Sequence, residues 1–240
     1  MPNMNNQSAI QQFATTSIST FFAKVYGWMS LGLLVSFGTA FALYYFLIQN
    51  FRLTEIFYSL FPFIMLAQIT VVLILSFIWR KLNGLISGLL FIFYSFLTGL
   101  FLGIIFLGYE INSIILAFGA TGLTFVAMSL YGFLTKQDLT RIGNIALMGL
   151  FGLIIASVVN LIAYFFFPGF AQGFSWVLTY IGLGIFIILI AYDSQKLKKL
   201  ADEAETLDAA GKYAVQGALM LYLDFINIFI RILAIMGRRR

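Results

Sequence analysis

The sequence predicts an all-α integral membrane protein with seven transmembrane helices. Hydrophobic residues make up 62% of the 240 residues and charged residues only 10%, whereas a soluble domain carries about 25% charged residues. Seven apolar stretches each reach the roughly 20 residues that a helix needs to cross a bilayer. Their runs are continuous, as in LGLLVSFGTAFALYYFLI, and they lack the alternating segments of about 10 residues that form a membrane β-barrel.

The predicted spans follow one another with short connections. They cover about 25–48, 56–79, 84–107, 111–134, 143–167, 174–195 and 213–236. Residues 24–240 are therefore expected to form one seven-helix transmembrane domain. A polar tail over residues 1–23 precedes it and lacks the apolar core of a signal peptide. The longest connection, KLKKLADEAETLDAAGK at 196–212, is charged and rich in alanine, so we expect it to extend helix six or seven into water.

The Lys and Arg residues predict the orientation, because cytoplasmic loops carry an excess of both. With the N-terminus in the cytoplasm, nine of them lie on the inner side and four on the outer side. This arrangement is therefore favoured, and seven spans then place the C-terminus outside. The three arginines at 238–240 oppose that placement, but the earlier loops outweigh them.

The chain contains no cysteine and no histidine. This excludes disulfides, thiolate metal sites, and haem ligation or catalysis by either residue. Any response to pH must then come from carboxyl groups, because no imidazole is present. The net charge of +5 is assigned to anchoring on the inner side. No basic patch with interleaved aromatic residues predicts a nucleic-acid partner.

Polar residues inside the apolar spans are the candidate functional residues. At about 100° per residue, Gly217, Met220, Asp224, Asn227 and Arg231 share one face of the seventh helix. A charge at mid-membrane costs about 2.5–3.5 kcal/mol, so this face is expected to meet protein or water rather than lipid. We therefore expect the other helices to surround the seventh, with Met220, Asn227 and Arg231 lining a pore.

A second acid, Asp193, lies near the cytoplasmic end of the sixth helix, and Arg80 ends the second helix. Asp193 and Asp224 approach the same side of the membrane, and two like charges in a low-dielectric site cannot both ionise cheaply. The pair is a candidate pH sensor and gate, with Arg80 as a charge-assisted latch. The structural alternatives are an Asp224 bonded to neighbouring polar groups, a solvated Asp193, an Arg80 that anchors the inner side and an Arg231 that snorkels outward.

Several glycines inside the spans are expected to serve close helix packing, namely Gly32, Gly38, Gly119 and Gly122. The sequence contains no phosphate-binding loop, zinc motif or nucleophile elbow. The candidate chemistry therefore rests on the intramembrane acids.

Four segments carry a family resemblance: VYGWMSLGLLVSFGTAFA (25–42), FGATGLTFVAMSLYG (118–132), AYDSQKL (191–197) and LYLDFINIFIRIL (221–233). They resemble motifs of the Bax inhibitor-1 family, also called the transmembrane BAX inhibitor motif proteins, and the last is the most specific. The resemblance covers nearly the whole chain. It implies seven helices with the last enclosed by the other six, a di-aspartyl pH sensor at Asp193 and Asp224, and an Arg80 that pairs with the acid of the sixth helix.

The same resemblance implies a function and a location. Family members are described as pH-sensitive calcium leak channels, so calcium is the expected permeant species, held transiently by Asp193 and Asp224, and no cofactor is expected. Carboxylate oxygens suit this hard cation. Members also suppress cell death or accompany membrane proteases, so a membrane protease is an expected partner beside lipid, calcium and protons. The compact size and short tails resemble bacterial members and imply the inner membrane, with a cytoplasmic N-terminus.

Three other functions remain open. Two intramembrane aspartates also occur in aspartyl intramembrane proteases, but Asp224 follows LYL rather than completing a GxGD motif. We therefore predict that the chain is not an enzyme. A regulatory or scaffold protein that modulates a membrane protease or a stress response would need no relevant conduction. A proton-coupled transporter often shows internal repeats, and no clear repeat is present.

Overall fold

The computed structural model describes residues 4–77, 82–203 and 207–238, and side chains over 19–50, 52–77, 82–201 and 211–238. Within these residues the chain forms seven α-helices and no strand, which confirms the predicted fold class. Each helix contains a stretch long and apolar enough to cross a membrane. The helices are α1 (Met4–Gln49), α2 (Phe51–Phe77), α3 (Gly84–Phe106), α4 (Ile111–Leu134), α5 (Thr140–Phe166), α6 (Pro168–Glu203) and α7 (Leu207–Met236).

Local sequence explains several helix ends. Asn83 caps α3, where its side chain accepts a hydrogen bond from the Ile86 amide at 2.8 Å. This pairs one of the amides that a helix start leaves free. α6 begins at Pro168, six residues before the predicted span at 174. Proline fits a first helical position because its missing N–H would have no helical partner there.

The long helices extend beyond the predicted spans. α1 begins at Met4 and runs through the stretch 1–23 that was predicted as a polar tail. With 36 residues, α6 is about 54 Å long, whereas the hydrocarbon core of a bilayer is about 30 Å thick. The charged connection at 196–212 accordingly lengthens both neighbours, since α6 continues to Glu203 and α7 begins at Leu207.

Burial separates the helices that face lipid from those that face protein. The most apolar windows of α2 and α5 are only 11% buried, whereas those of α3 and α7 are 56% buried. From Gly211 to Ile235, no residue of α7 is exposed. Protein therefore encloses the seventh helix on all its faces, as predicted.

The chain divides into two compact units, and both α6 and α7 contribute to each. The first unit comprises Met1–Gly108 and Leu197–Tyr222, and the second comprises Tyr109–Lys196 and Leu223–Arg240.

A buried hydroxyl pair joins three helices in the first unit. Ser36 of α1 donates to the Ser95 carbonyl of α3 at 2.8 Å, and its Oγ lies 2.6 Å from the Tyr222 hydroxyl of α7. The rings of Phe91 and Tyr94 pack edge-on against the Tyr222 ring, with centroids at 5.4 and 5.9 Å. These contacts fix the first half of α7 against α1 and α3.

In the second unit, α4 contacts both α6 and α7. A Cβ atom added at Gly132 of α4 would overlap the Ala191 backbone of α6. Close approach of this kind is typical where membrane helices meet at small residues. The Phe225 ring of α7 packs against Phe118 and Phe125 of α4, with centroids at 5.6 and 5.7 Å. The two helices that carry the candidate acids are thus fixed against one neighbour.

The glycines predicted to serve packing behave differently from one another. A Cβ atom at Gly32 would lie 2.6 Å from the Phe91 ring, so α1 and α3 meet closely there. At Gly38, Gly119 and Gly122 it would meet no atom within 4 Å, and the prediction is wrong for these three. Their faces point away from packed neighbours, and glycine is common in membrane helices at such positions too.

Candidate carboxylate site

Asp224 lies on α7 with a side chain that is only 4% exposed. Its Oδ2 atom has no hydrogen-bond partner among the described residues. Buried polar atoms are normally paired, and an unpaired one costs about 1–3 kcal/mol, or more when it is charged. Bonding to neighbouring polar groups, the structural alternative for Asp224, does not account for this oxygen. One side of the carboxyl group stays open to a proton, a water molecule or a cation.

Asp193 is half-buried on α6, in the segment AYDSQ. The two residues before it press against glycines of neighbouring helices. A Cβ atom at Gly132 of α4 would overlap the Ala191 backbone, and one at Gly143 of α5 would overlap the Tyr192 ring. Side chains at either glycine would push α6 away, so these contacts set the position of Asp193.

The two residues after Asp193 bind α4 and the connection that follows it. Ser194 Oγ lies 2.9 Å from Ser129 Oγ of α4, and both side chains are buried. Gln195 uses both ends of its amide: it accepts from the Leu139 N–H at 2.9 Å and donates to the Gln137 carbonyl at 2.8 Å. The connection between α4 and α5 is therefore attached directly to the segment that carries the acid.

Asp193 and Asp224 both belong to the second unit, where the charge of Asp193 acts on the Asp224 carboxyl group. Lys196, three residues after Asp193 on the same helix, also acts on the Asp193 charge. A contact between the two predicted acids, and their roles as sensor and gate, remain predictions. Arg80, the predicted latch, lies outside the described residues, and its pairing with Asp193 remains a prediction too.

Two of the predicted pore-lining residues are half-buried on α7. Met220 belongs to the first unit and Asn227 to the second. The Asn227 amide donates to the Leu223 carbonyl, one turn earlier, at 2.8 Å. This bond holds the amide along its own helix. Nothing in these contacts assigns either residue a role in conduction.

Arg231 packs against α6. It donates to the Leu178 carbonyl at 3.2 Å, and its guanidinium lies 5.3 Å from the centre of the Phe186 ring. A Cβ atom at Gly182 would overlap the guanidinium, which shows how closely it lies on the helix. Its Nε atom has no hydrogen-bond partner among the described residues. A half-buried positive charge therefore lies seven residues beyond Asp224 on the same face of α7.

The donor set limits the metal chemistry that this site can support. Within the part of the chain that the structure describes, no group of three or more acids, histidines or cysteines is placed to hold a metal ion. Calcium in tight sites takes 6–8 oxygen ligands. The transient binding of calcium expected at Asp193 and Asp224 remains a prediction.

The sequence patterns did not single out several residues of the site. Gln195, Ser194 and Ser129 are ordinary polar residues near helix ends, and only their contacts show that they position Asp193. Gly132 lies at the end of the motif FGATGLTFVAMSLYG, and its spacing gave no indication that it faces α6. A helix-period count finds faces but does not identify the neighbour that each face meets.

Comparisons with known proteins agree with this architecture. The family model described as "Inhibitor of apoptosis-promoting Bax1" matches residues 18–240. The inner membrane protein YbhL of Escherichia coli K12 is 41% identical over 228 residues, which cover 93% of each chain. Proteins described as uncharacterized from Borreliella burgdorferi and Deinococcus radiodurans are 39% and 36% identical and cover at least 92% of each chain. These relatives are bacterial, and their names assign no catalytic activity. The chain is an integral membrane protein that belongs to the Bax inhibitor-1 family.

Proposed function

We propose that the protein is a pH-controlled calcium leak channel whose gate is the pair Asp193 and Asp224. The observation that carries the proposal is the buried Asp224 carboxyl group, which has an unpaired oxygen and lies within electrostatic range of a second acid. Intramembrane acids are rare and usually mark ion or proton pathways. A carboxyl group that only joined helices would have both of its oxygens paired.

The electrostatics of the pair support control by protons. Keeping two neighbouring carboxyl groups both ionised in a low-dielectric site is costly. The number of protons that the pair binds therefore changes with pH. When Asp193 is ionised, a guanidinium from Arg80 would hold it and keep the cytoplasmic end shut. When the pair takes up a proton, that attraction weakens and the path opens.

The remaining polar groups of α7 support a slow leak better than a fast channel. Calcium prefers oxygen ligands, and two acids bind it weakly enough to release it. Arg231 lies further along the same face, and its fixed positive charge opposes a divalent cation at that level. A cation that follows this face of α7 therefore meets an attractive site and then a repulsive one.

The test is calcium flux into dye-loaded liposomes that contain the purified protein. Wild type should give flux above that of empty liposomes, and the flux should change with pH, because a coupled carboxyl pair releases its protons in two steps. Asp224→Asn should shift or weaken the pH dependence, because an amide neither ionises nor takes up a proton and Asp193 is then the one acid of the pair that still titrates. Glu110→Gln is the matched control, since this acid precedes α4 and its side chain makes no capping hydrogen bond.

Other outcomes decide between the alternative functions. No flux above empty liposomes at any pH would contradict the channel and favour a regulatory partner of a membrane protease or a stress response. A pH effect that survives in the double variant Asp193→Asn with Asp224→Asn would contradict the acids as the sensor. Cleavage of a membrane peptide that stops in either single variant would instead support the protease.

A further inference from the structure

A buried hydroxyl on α3 of the first unit differs from the other hydroxyls of the spans. Ser87 is 3% exposed, and its Oγ atom has no hydrogen-bond partner among the described residues. Several other buried hydroxyls bond the carbonyl four residues earlier, as Ser95 does with Phe91 at 2.9 Å and Thr121 with Ala117 at 2.7 Å. The Ser87 hydroxyl makes no such bond, so its hydrogen-bonding capacity remains available to another partner.

A second unpaired oxygen lies on α7 of the same unit. Oε1 of Gln216 is buried and has no hydrogen-bond partner among the described residues. By helical periodicity, Gln216 precedes Met220 by four residues and Asp224 by eight, so the three side chains lie along one face of α7. This places a further oxygen on the face that carries the candidate gate.

Contacts on both sides of Ser87 show that α3 and α7 lie side by side there. A Cβ atom at Gly84 would lie 3.7 Å from the Lys212 backbone nitrogen, and the Phe91 ring packs against the Tyr222 ring at 5.4 Å. Ser87 follows Gly84 by three residues and Gln216 follows Lys212 by four. Residues three and four apart share a helix face, so Ser87 and Gln216 lie about one turn beyond the Gly84–Lys212 contact on their two helices, at the same level of the first unit.

We propose that α3 and α7 enclose a hydrated pocket lined by Ser87 Oγ and Gln216 Oε1. Hydrated calcium traverses this pocket on its way to Asp224. This route, though not the pocket itself, rests on the proposed leak function. A buried water typically makes 2–4 hydrogen bonds to otherwise unpaired polar groups, and a hydroxyl together with an amide oxygen offers such partners. Uncharged oxygen atoms bind a cation more weakly than a carboxylate does. They therefore suit a site that the cation occupies briefly before it reaches Asp224.

The absence of cysteine makes a direct test possible, because any introduced thiol is the only one in the chain. Each of the variants Ser87→Cys and Gln216→Cys is treated, as folded protein in liposomes, with a membrane-impermeant, positively charged methanethiosulfonate reagent. The control is Ser95→Cys on the same helix, a position that is 0% exposed and paired with its own helix. Both pocket thiols should react roughly tenfold faster than the control or more, because the control reacts only when packed helices open.

Two readouts separate the pocket from the route. If the thiols at positions 87 and 216 react no faster than the thiol at position 95, while all three react after denaturation, there is no hydrated pocket. If they react and the added charge at position 87 lowers calcium flux severalfold, the pocket lies on the route. Reaction without any change in flux overturns the route. A wild type that gives no flux contradicts the proposed function, whereas the labelling rates still decide whether the pocket exists.

Discussion

The contact between Gly132 of α4 and the Ala191 backbone of α6 makes a sharp prediction about packing. Substitution Gly132→Ala places a methyl group where the backbone of α6 lies, and a backbone cannot rotate away as a side chain can. Overpacking of this kind costs about 1–3 kcal/mol. Gly122→Ala in the same helix is the matched control, because a Cβ atom there meets no atom within 4 Å.

The difference between the two variants isolates the packing contribution. Both gain the same helix preference of alanine over glycine, about 0.8–1.0 kcal/mol, and this gain cancels in the comparison. A difference of about 1–3 kcal/mol remains, and each kcal/mol shifts the unfolding temperature of a chain of this size by about 2–4 °C. Gly132→Ala should therefore unfold about 2–12 °C below Gly122→Ala.

Thermal unfolding in detergent, followed by the fluorescence of the 3 tryptophans, measures this difference. Because Ala191 is two residues before Asp193, the displaced helix should also alter the pH dependence of any calcium flux. Equal unfolding temperatures for the two variants would refute the close approach of α4 and α6, and with it the explanation of how Asp193 is positioned.

Three further predictions concern hydrogen bonds and charge. Gln195→Leu removes both bonds to the connection between α4 and α5, so amide hydrogen exchange over residues 135–139 should accelerate while exchange in α3 stays unchanged. A double-mutant cycle of Ser36→Ala and Tyr222→Phe in thermal unfolding should give a coupling free energy of about 0.5–1.5 kcal/mol, and full additivity would contradict the 2.6 Å bond. Arg231→Gln removes the positive charge beyond Asp224, so it should raise calcium flux at every pH while its pH dependence persists, and unchanged flux would place the cation route elsewhere.

The seven helices were predictable because length and continuous apolar character alone decide whether a helix spans a bilayer. Helix ends were less predictable, as α6 shows. Its first turns contain glycine, glutamine and proline, which lower the apolar signal, although proline is well accommodated at the start of a helix. The charged stretch between α6 and α7 continues both helices because its lysine, glutamate and alanine residues favour helix in water.

The candidate site was predictable only in part. Asp193 and Asp224 stand out because charges in apolar spans are costly, and the helix period finds the face that Asp224 shares with Arg231. The packing of Arg231 over Gly182 could not be derived in this way, since it depends on which face of α6 meets α7. The same limit applies to Ser87 and Gln216. Each has a buried oxygen without a hydrogen-bond partner among the described residues, and the sequence alone does not reveal this.

The most direct measurement of the central claim is infrared difference spectroscopy of the protein in liposomes, titrated over the pH range in which calcium flux changes. The carbonyl band of a protonated carboxyl group reports directly whether an acid takes up a proton. We expect such a band to appear and disappear with the flux in wild type and in Glu110→Gln, and to be shifted or weakened in Asp224→Asn. A flux that changes with pH while the carboxyl band stays constant, or a band that is unaltered in Asp224→Asn, would contradict the Asp193 and Asp224 pair as the proton-controlled gate.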